Sequence, residues 1–131
     1  MGMSIPILVV EDNEMNRHLL VRQLARLGHD EVAVVGNGAE ALDWLALHEC
    51  RVILADCQMP LMDGYEMTRR IRQRERQSGR HTPVIALSAG VLESDRATCY
   101  AAGMDDHVSK PTQLSTLASA LKPWLGTQPK E

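Results

Sequence analysis

Short apolar runs alternate with longer segments of helical periodicity along most of the chain. The runs are rich in β-branched residues, and two of them, VILA and VIAL, are apolar at every position. Such runs predict parallel strands with both faces covered, and the segments between them predict helices. The predicted strands are residues 5–10, 31–35, 52–55, 83–87 and, more weakly, 107–109. The fold class is therefore α/β, with five strand-helix pairs.

Residues at the ends of the helical segments support this division. Gly28 is placed to end the first helix in the left-handed conformation, and Gly103 is placed to end the fourth helix. Asn37, followed three residues later by Glu40, predicts a capping box for the second helix. The last segment has a core-facing stripe at helical spacing, made of Leu114, Leu117, Ala118, Leu121 and Trp124.

Length and composition favour a single globular domain. The chain has 131 residues, of which 44% are hydrophobic, enough for one core at this size. We predict a domain over residues 5–125, with terminal tails at 1–4 and 126–131. The net charge is -3, and two Trp and two Tyr are the aromatic residues besides histidine. Nucleic-acid binding through a basic, stacking surface is therefore not expected.

The cysteines and the apolar runs indicate a cellular location. Cys50, Cys57 and Cys99 form neither a C-x-x-C pair nor an even disulfide set, which favours a reducing compartment. No apolar run approaches the roughly 18 residues of a membrane span, and no signal peptide is evident. We predict a cytoplasmic domain without direct membrane contact, a location that a membrane-anchored parent protein would also allow.

Polar side chains follow four of the predicted strands. Glu11 and Asp12 come after the first strand, Asp56 after the third, Ser88 after the fourth and Lys110 after the fifth. Ligands of open parallel sheets bind at the carboxyl ends of the strands, so these residues are expected to converge on one site. Each residue alone could have a structural role, as a helix cap or a solvated surface group. The occurrence of all five residues in this order, each at the end of a strand, is a more specific indication of a functional site.

The expected chemistry of this set is phosphoryl transfer with a divalent cation. Carboxylates gathered at one edge need a compensating cation, and hard oxygen ligands suit Mg²⁺. A lysine and a hydroxyl would add a positive charge and a donor for phosphoryl oxygens. No Ser-His or Cys-His pair is evident, so a carboxylate is the best candidate nucleophile. We choose Asp56, because it stands alone at the end of the most buried run.

The motifs around these residues resemble a known family. VVEDNEMNR, LADCQMPLMDGYEMTRRIR, VIALSAG and AAGMDDHVSKP are similar to the receiver domain of bacterial two-component response regulators. The resemblance covers the chain from about Ile5 to Leu125. EDNxxN, DCQMPxMDG and GMDDxxSKP are most similar to receivers of hybrid sensor histidine kinases in phosphorelays.

The resemblance implies a fold and a role for each site residue. The implied fold is a five-stranded parallel sheet in the order 2-1-3-4-5 with five helices. In this family the peptide bond that corresponds to Lys110–Pro111 is often cis. Asp56 is the phosphoacceptor, Ser88 contacts the phosphoryl group and Lys110 pairs with it. The implied Mg²⁺ ligands are Glu11, Asp12, Asp56 and the main-chain carbonyl of Gln58.

The resemblance also implies residues that switch the conformation and tune the kinetics. Ser88 moves toward the phosphoryl group, and the ring of Tyr or Phe three residues before the lysine changes rotamer. Here that position is His107, a departure that leaves open both a pH-sensitive switch and a ring with no signalling role. Gln58 and Gly90 would border the path of the attacking water and so tune the phosphoryl lifetime.

The implied partners are a histidine kinase or a histidine phosphotransfer domain, including a sensor kinase fused to this domain in the parent protein. The first helix, with Asn16 and Leu19, would receive the histidine-bearing bundle, and the fourth helix, fifth strand and fifth helix would carry the output. The segment RRIRQRERQSGR is interpreted as a solvated basic face, with docking to an acidic partner as the second interpretation.

Four other functions share part of this chemistry or topology. A free-standing single-domain regulator has the same chemistry. A phosphohydrolase of the haloacid dehalogenase type also uses an aspartate and Mg²⁺, but it needs a second acid where this chain has Gln58. A flavin-binding protein of similar topology would need a phosphate loop after the first strand and more aromatic residues. A scaffold that no longer takes phosphate would not need all five site residues.

Overall fold

The computed structural model describes residues 6–59, 61–89 and 93–125, with the side chains of 93–95 left out. Gly90 and the predicted tails, 1–4 and 126–131, lie outside the described residues. Within the described part, five strands alternate with five helices in this order: β1 (Ile7–Val10), α1 (Glu14–Arg26), β2 (Val32–Val35), α2 (Gly38–Leu47), β3 (Val52–Asp56), α3 (Gly64–Ser78), β4 (Val84–Ser88), α4 (Glu93–Ala102), β5 (Asp106–Ser109) and α5 (Leu114–Leu125).

The strands form one parallel sheet in the order β2-β1-β3-β4-β5. This confirms the α/β fold class, the strand order and the doubly wound topology. The Lys110–Pro111 peptide is cis, also as expected. Because all strands run in the same direction, their carboxyl ends share one edge of the sheet.

The side chains of alternate strand residues pack into two hydrophobic cores, one on each face of the sheet. Ile7 and Val9 of β1 pack with residues of α1 and α5, whereas Leu8 and Val10 pack with residues of α2, α3 and α4. All four side chains are fully buried, which explains the continuous apolarity of these runs. Within the described residues, none of the helices has the length and apolar composition needed to cross a lipid bilayer.

The predicted helix ends are present. Gly28 and Gly103 have φ values of +97° and +105°, in the left-handed region where glycine carries no Cβ penalty. The Asn37 side chain accepts a hydrogen bond from the Glu40 amide at 2.9 Å, as predicted. The Glu40 carboxylate accepts from the Gly36 amide at 2.7 Å, so the reciprocal bond reaches one residue further back than in a standard capping box.

The core stripe of α5 differs in part from the prediction. Leu117 and Leu121 are buried as expected, but Ala120 and Leu125 complete the buried face. Leu114, Ala118 and Trp124 are half-buried, so these three predicted positions lie at the margin of the buried face. A spacing of three and four residues predicts the centre of the buried face, but how far burial extends around the helix depends on how the helix packs against the sheet.

The basic segment of α3 is also different from a uniform solvated face. The Arg72 guanidinium bonds Glu75 at 2.6 Å and Asp105 at 2.8 Å, and the Arg72 side chain is only 17% exposed. It also donates to the main-chain carbonyls of Thr82 and Gly103 at 2.8 and 2.9 Å. Arg72 therefore joins α3 to the segments that precede β4 and β5, and it does not belong to the predicted basic face.

Candidate functional site

Four strands deliver the predicted side chains to the carboxyl edge of the sheet. Glu11 follows β1 directly, Asp56 and Ser88 are the last residues of β3 and β4, and Lys110 follows β5. The Lys110 amide donates to the Ser88 carbonyl at 2.8 Å, which ties the ends of β4 and β5 together. The parallel register thus brings together residues that are far apart in the chain.

The ammonium group of Lys110 joins two of the carboxylates. Its Nζ lies 3.1 Å from Glu11 Oε1 and 3.1 Å from Asp56 Oδ2. The Glu11 side chain is fully buried, and that of Asp56 is 10% exposed. Two carboxylates that are shielded from water in this way would repel each other strongly without the cation.

Burial and charge act in opposite directions on these groups. Burial raises the pKa of Glu11, the Asn13 amide lowers it, and the charge of Asp56 raises it again, with a net rise. Burial lowers the pKa of Lys110, but hydrogen bonds and attraction from Asp56 and Glu11 outweigh that effect, and the pKa lies above its usual value. The lysine is therefore charged at neutral pH.

The carboxylates have the arrangement that a hard divalent cation requires. Oxygen atoms of Glu11, Asp12 and Asp56 all lie within 4.8 Å of one another. Asp12 is exposed, so a cation held there keeps access to water. Mg²⁺ prefers a few carboxylates and retained water molecules, and this donor set fits it. A bound Mg²⁺ would also relieve the repulsion among the three carboxylates.

Four hydrogen bonds hold the segment between β1 and α1 in place. The Glu11 amide donates to the Val35 carbonyl at 3.0 Å, and Arg17 Nε donates to the Glu11 carbonyl at 2.7 Å. The Asn13 amide donates to Glu11 Oε2 at 3.2 Å, while the Asn13 side chain caps α1 by accepting from the Asn16 amide at 3.0 Å. Sequence reasoning did not identify Arg17 as part of the site.

The segment between β3 and α3 packs closely on Asp56. The Gln58 amide donates to Asp56 Oδ1 at 3.2 Å. A Cβ at Gly64 would lie 2.6 Å from the Asp56 main-chain oxygen, so only glycine fits at this position. The Asp63 side chain caps α3 by accepting from the Glu66 amide at 2.9 Å. The sequence pair Asp63-Gly64 indicated a turn, but not this contact with Asp56.

His107 lies on the same face of the sheet as Ser88. It is the register partner of Ala86, two residues before Ser88, and side chains two residues apart on a strand share a face. Both ring nitrogens of His107 are shielded from solvent. The predicted switch pair therefore occupies one side of the sheet, the side covered by α3 and α4 in the second core.

Comparison with known families identifies the class of protein that this fold and site define. Residues 7–122 match the family model of the response regulator receiver domain. The chain belongs to this family, as its motifs predicted. Receiver domains are signalling phosphoacceptors and not classical enzymes.

The curated relatives of this chain include a hybrid signal transduction protein and a sensor histidine kinase. The chain is 41% identical over 122 residues to hybrid signal transduction protein dokA of Dictyostelium discoideum, covering 92% of this chain and 7% of that protein. It is 39% identical over 115 residues to sensor histidine kinase RcsC of Escherichia coli strain K12, covering 88% of this chain and 12% of that protein. The chain thus spans a small part of the curated relatives it matches.

Solved structures of receiver domains share this fold. The receiver domain of sensor histidine kinase PA1611 from Pseudomonas aeruginosa PAO1, which has magnesium in its active-site cleft, is 39% identical with a TM-score of 0.81, covering 96% of this chain and 99% of that one. A chain from the Saccharomyces cerevisiae co-crystal of phosphotransfer protein Ypd1 with the Ssk1 receiver domain is 28% identical with a TM-score of 0.83, covering 95% and 90%.

Proposed function

We propose that this domain accepts a phosphoryl group on Asp56 from the phosphohistidine of a partner protein. The observation that carries the proposal is the position of Lys110, 3.1 Å from both Glu11 and Asp56. It places a fixed positive charge beside the candidate nucleophile, inside a site of carboxylates. The proposed partner is a histidine kinase or a histidine phosphotransfer domain, because the relatives include hybrid kinases and a receiver crystallised with Ypd1.

The proposed chemistry is attack by a carboxylate oxygen of Asp56 on phosphorus. The oxygen–phosphorus bond forms as the phosphorus–nitrogen bond of the donor histidine breaks. Glu11, Asp12, Asp56 and the main-chain carbonyl of Gln58 would hold Mg²⁺, which supplies charge neutralisation for the phosphoryl oxygens. Lys110 exchanges part of its interaction with Asp56 for one with the phosphoryl group, and the Ser88 hydroxyl donates to another phosphoryl oxygen.

The same residues would catalyse both gain and loss of the phosphoryl group without further protein. Gln58 is exposed beside Asp56 and is placed to affect the approach of water to the phosphorylated residue. We assign the same tuning role to Gly90, which lies outside the described residues. Ser88 and His107, on one side of the sheet, would then carry the change toward α4 and α5.

The proposed docking surface for the donor is the exposed start of α1. Met15 and Leu19 are 81% and 38% exposed, and they line a shallow depression together with Glu14, His18 and Arg22. Asn16 lies beside them, half-buried. An apolar patch with polar neighbours at the rim suits a helical protein surface. Leu19→Asp should slow transfer from a phosphorylated histidine phosphotransfer domain and leave labelling by acetyl phosphate unchanged.

We propose a cytoplasmic location for the domain. All three cysteines are free thiols in the structure, and two of them are fully buried. Unpaired thiols are typical of proteins in reducing compartments. Protein from the native host can be alkylated with and without prior reduction and then analysed by mass spectrometry. Three free thiols without reduction are expected if this location is right, and a mixed or intramolecular disulfide would show that it is wrong.

Intact-mass analysis after incubation with acetyl phosphate tests the phosphoacceptor. We expect one phosphoryl adduct that requires Mg²⁺, is cleaved by hydroxylamine and is absent from Asp56→Asn. Asp43→Asn, which changes an exposed carboxylate on α2, serves as the matched control and should be labelled like the unmodified chain. An adduct that persists in Asp56→Asn, or no adduct from acetyl phosphate or phosphoramidate, would overturn the assignment.

A further inference from the structure

We infer that Arg17 is a positioning residue for the cation site, acting through the main chain of Glu11. This inference rests on the proposed function, because it concerns the affinity of the same site for Mg²⁺. Arg17 lies near the start of α1, and its positively charged side chain cannot itself be a ligand of the cation. Its role follows from what its guanidinium touches.

Glu11 is held at every polar group that it has. Its amide donates to Val35 and its carbonyl accepts from Arg17 Nε, at 3.0 and 2.7 Å. One carboxylate oxygen accepts from the Asn13 amide and the other faces Lys110, at 3.2 and 3.1 Å. The hydrogen bond from Arg17 is the shortest of these four contacts, of which the one to Lys110 is an ion pair. It also comes from a charged donor, which makes it stronger than a bond between neutral groups.

Among the described residues, no group forms a hydrogen bond or an ion pair with the Asp12 carboxylate. It is exposed, and its neighbours in the chain are Glu11 and the helix cap Asn13. The position of the Asp12 carboxylate therefore depends on the direction that the main chain takes after Glu11. Arg17 determines that direction, because it binds the Glu11 carbonyl at the peptide that joins the two residues. The guanidinium thus fixes the spacing between the first two carboxylates of the site.

The Nη2 atom of Arg17 packs against Gly36, in the segment between β2 and α2. A Cβ at Gly36 would lie 3.0 Å from Arg17 Nη2 and 3.3 Å from Glu40 Oε1. The Glu40 carboxylate is itself fixed by the Gly36 amide at 2.7 Å. Gly36 therefore leaves just enough space for Arg17, and the backbone there is not in the left-handed region, so alanine could replace it without backbone strain.

Charge and position predict opposite effects on Mg²⁺ affinity. If Arg17 acted as a nearby positive charge, its removal would tighten cation binding, because like charges repel. If Arg17 positions the carboxylates, its removal should weaken binding. Loss of a group that holds metal ligands in place typically costs at least tenfold in affinity, and we expect a rise of about tenfold in the Kd for Mg²⁺.

Isothermal titration of Mg²⁺ into purified variants tests the inference. Arg17→Met removes charge and donor, Arg17→Lys keeps the charge without the planar fork, and Gly36→Ala displaces the guanidinium with its charge intact. We expect all three to raise the Kd, with the smallest change for Gly36→Ala. Arg26→Met changes an exposed arginine in the last turn of α1, and its Kd should equal that of the unmodified chain.

A second readout separates positioning from a general loss of structure. At saturating Mg²⁺ the variants should regain most of the rate of labelling by acetyl phosphate, and their thermal unfolding without Mg²⁺ should remain cooperative. A lower Kd in Arg17→Met, or an unchanged Kd in both Arg17 variants, would overturn the inference. If the unmodified chain itself binds no Mg²⁺, the proposed function fails instead. If Arg17→Met does not fold, the Kd of Gly36→Ala for Mg²⁺ tests the inference instead: a raised Kd supports it, and an unchanged Kd overturns it.

Discussion

The ammonium of Lys110 lies 3.1 Å from a carboxylate oxygen of Glu11, although the two residues follow the first and last strands of the chain. The contact spans the carboxyl edge of the sheet and passes beside Asp56, which the same ammonium also binds. The site is therefore balanced by an internal cation. Its response to pH, to Mg²⁺ and to substitution follows from that balance.

Replacement of Glu11 should stabilise the protein when Mg²⁺ is absent. The pKa of this carboxyl is raised in the fold, chiefly by burial. A raised pKa contributes stability at pH values below the ordinary value, and this contribution is lost as the pH rises through the folded-state pKa. Without Mg²⁺, Glu11→Gln should thus unfold at a higher temperature than the unmodified chain at neutral pH. This difference should shrink as the pH falls through the raised folded-state pKa, and it should be absent below about pH 4.5.

Thermal unfolding in EDTA at several pH values, followed by circular dichroism, measures this difference. Glu31→Gln, an exposed carboxyl beside β2, is the control and should show no such trend. Added Mg²⁺ should raise the melting temperature of the unmodified chain but not of Glu11→Gln, because a bound ligand stabilises the state that binds it. A lower melting temperature for Glu11→Gln in EDTA at neutral pH would contradict the prediction.

Removal of Lys110 should destabilise the protein but tighten Mg²⁺ binding. Lys110→Ala leaves Glu11 and Asp56 without a counter-charge, and loss of one partner of a buried ion pair costs about 3 kcal/mol. The cation would then meet no competing ammonium, so its Kd should fall. Urea unfolding in EDTA and calorimetric titration test the two effects, with the exposed Lys122→Ala as the control. Weaker Mg²⁺ binding in Lys110→Ala would show that the lysine positions the carboxylates.

Arg72 should be the arginine of α3 that stability depends on. Its guanidinium bonds two largely buried carboxylates, Glu75 and Asp105, and two main-chain carbonyls. The carboxylates also accept from the Thr82 and Val84 amides, and His81 contacts Asp105, but Arg72 is the group that bonds all four acceptors. Arg72→Met should cost about 3 kcal/mol of unfolding free energy, and Arg72→Lys should recover little of it. Arg76→Ala, at an exposed position, should change it by less than about 0.5 kcal/mol. Equal effects in urea unfolding would refute this role.

The thiols of the folded protein should resist alkylation. Burial raises the pKa of both Cys50 and Cys57 to about 12, and Cys99 is fully buried with its Sγ 4.0 Å from that of Cys57. At pH 8 a thiol of pKa 12 is about one part in ten thousand thiolate, the reactive form. Intact mass after iodoacetamide should show no adduct in the native state and three adducts in urea. Rapid native labelling would mean that the second core opens readily.

The sequence predicted the fold and the convergence of the site for the same reason. Continuous β-branched runs predict strands covered on both faces, which is the condition for a parallel sheet. Parallel strands share one carboxyl edge, so the polar residues after four of them had to meet there. Glu11, Asp56 and Lys110 could be placed together without any knowledge of side-chain geometry. The family motifs added the strand order.

The contacts that hold the site could not be read from the sequence. Arg17 and Gly64 act on main-chain atoms of Glu11 and Asp56, and a main-chain contact leaves no pattern in residue types. Arg72 is one of six arginines in its segment, and only the packing of α3 against the start of β5 selects it. The sequence by itself determined which chemical groups meet at one edge of the sheet, because strand direction and residue type are local properties. Tertiary structure alone decided which groups position them, because that depends on distances between segments remote in the chain.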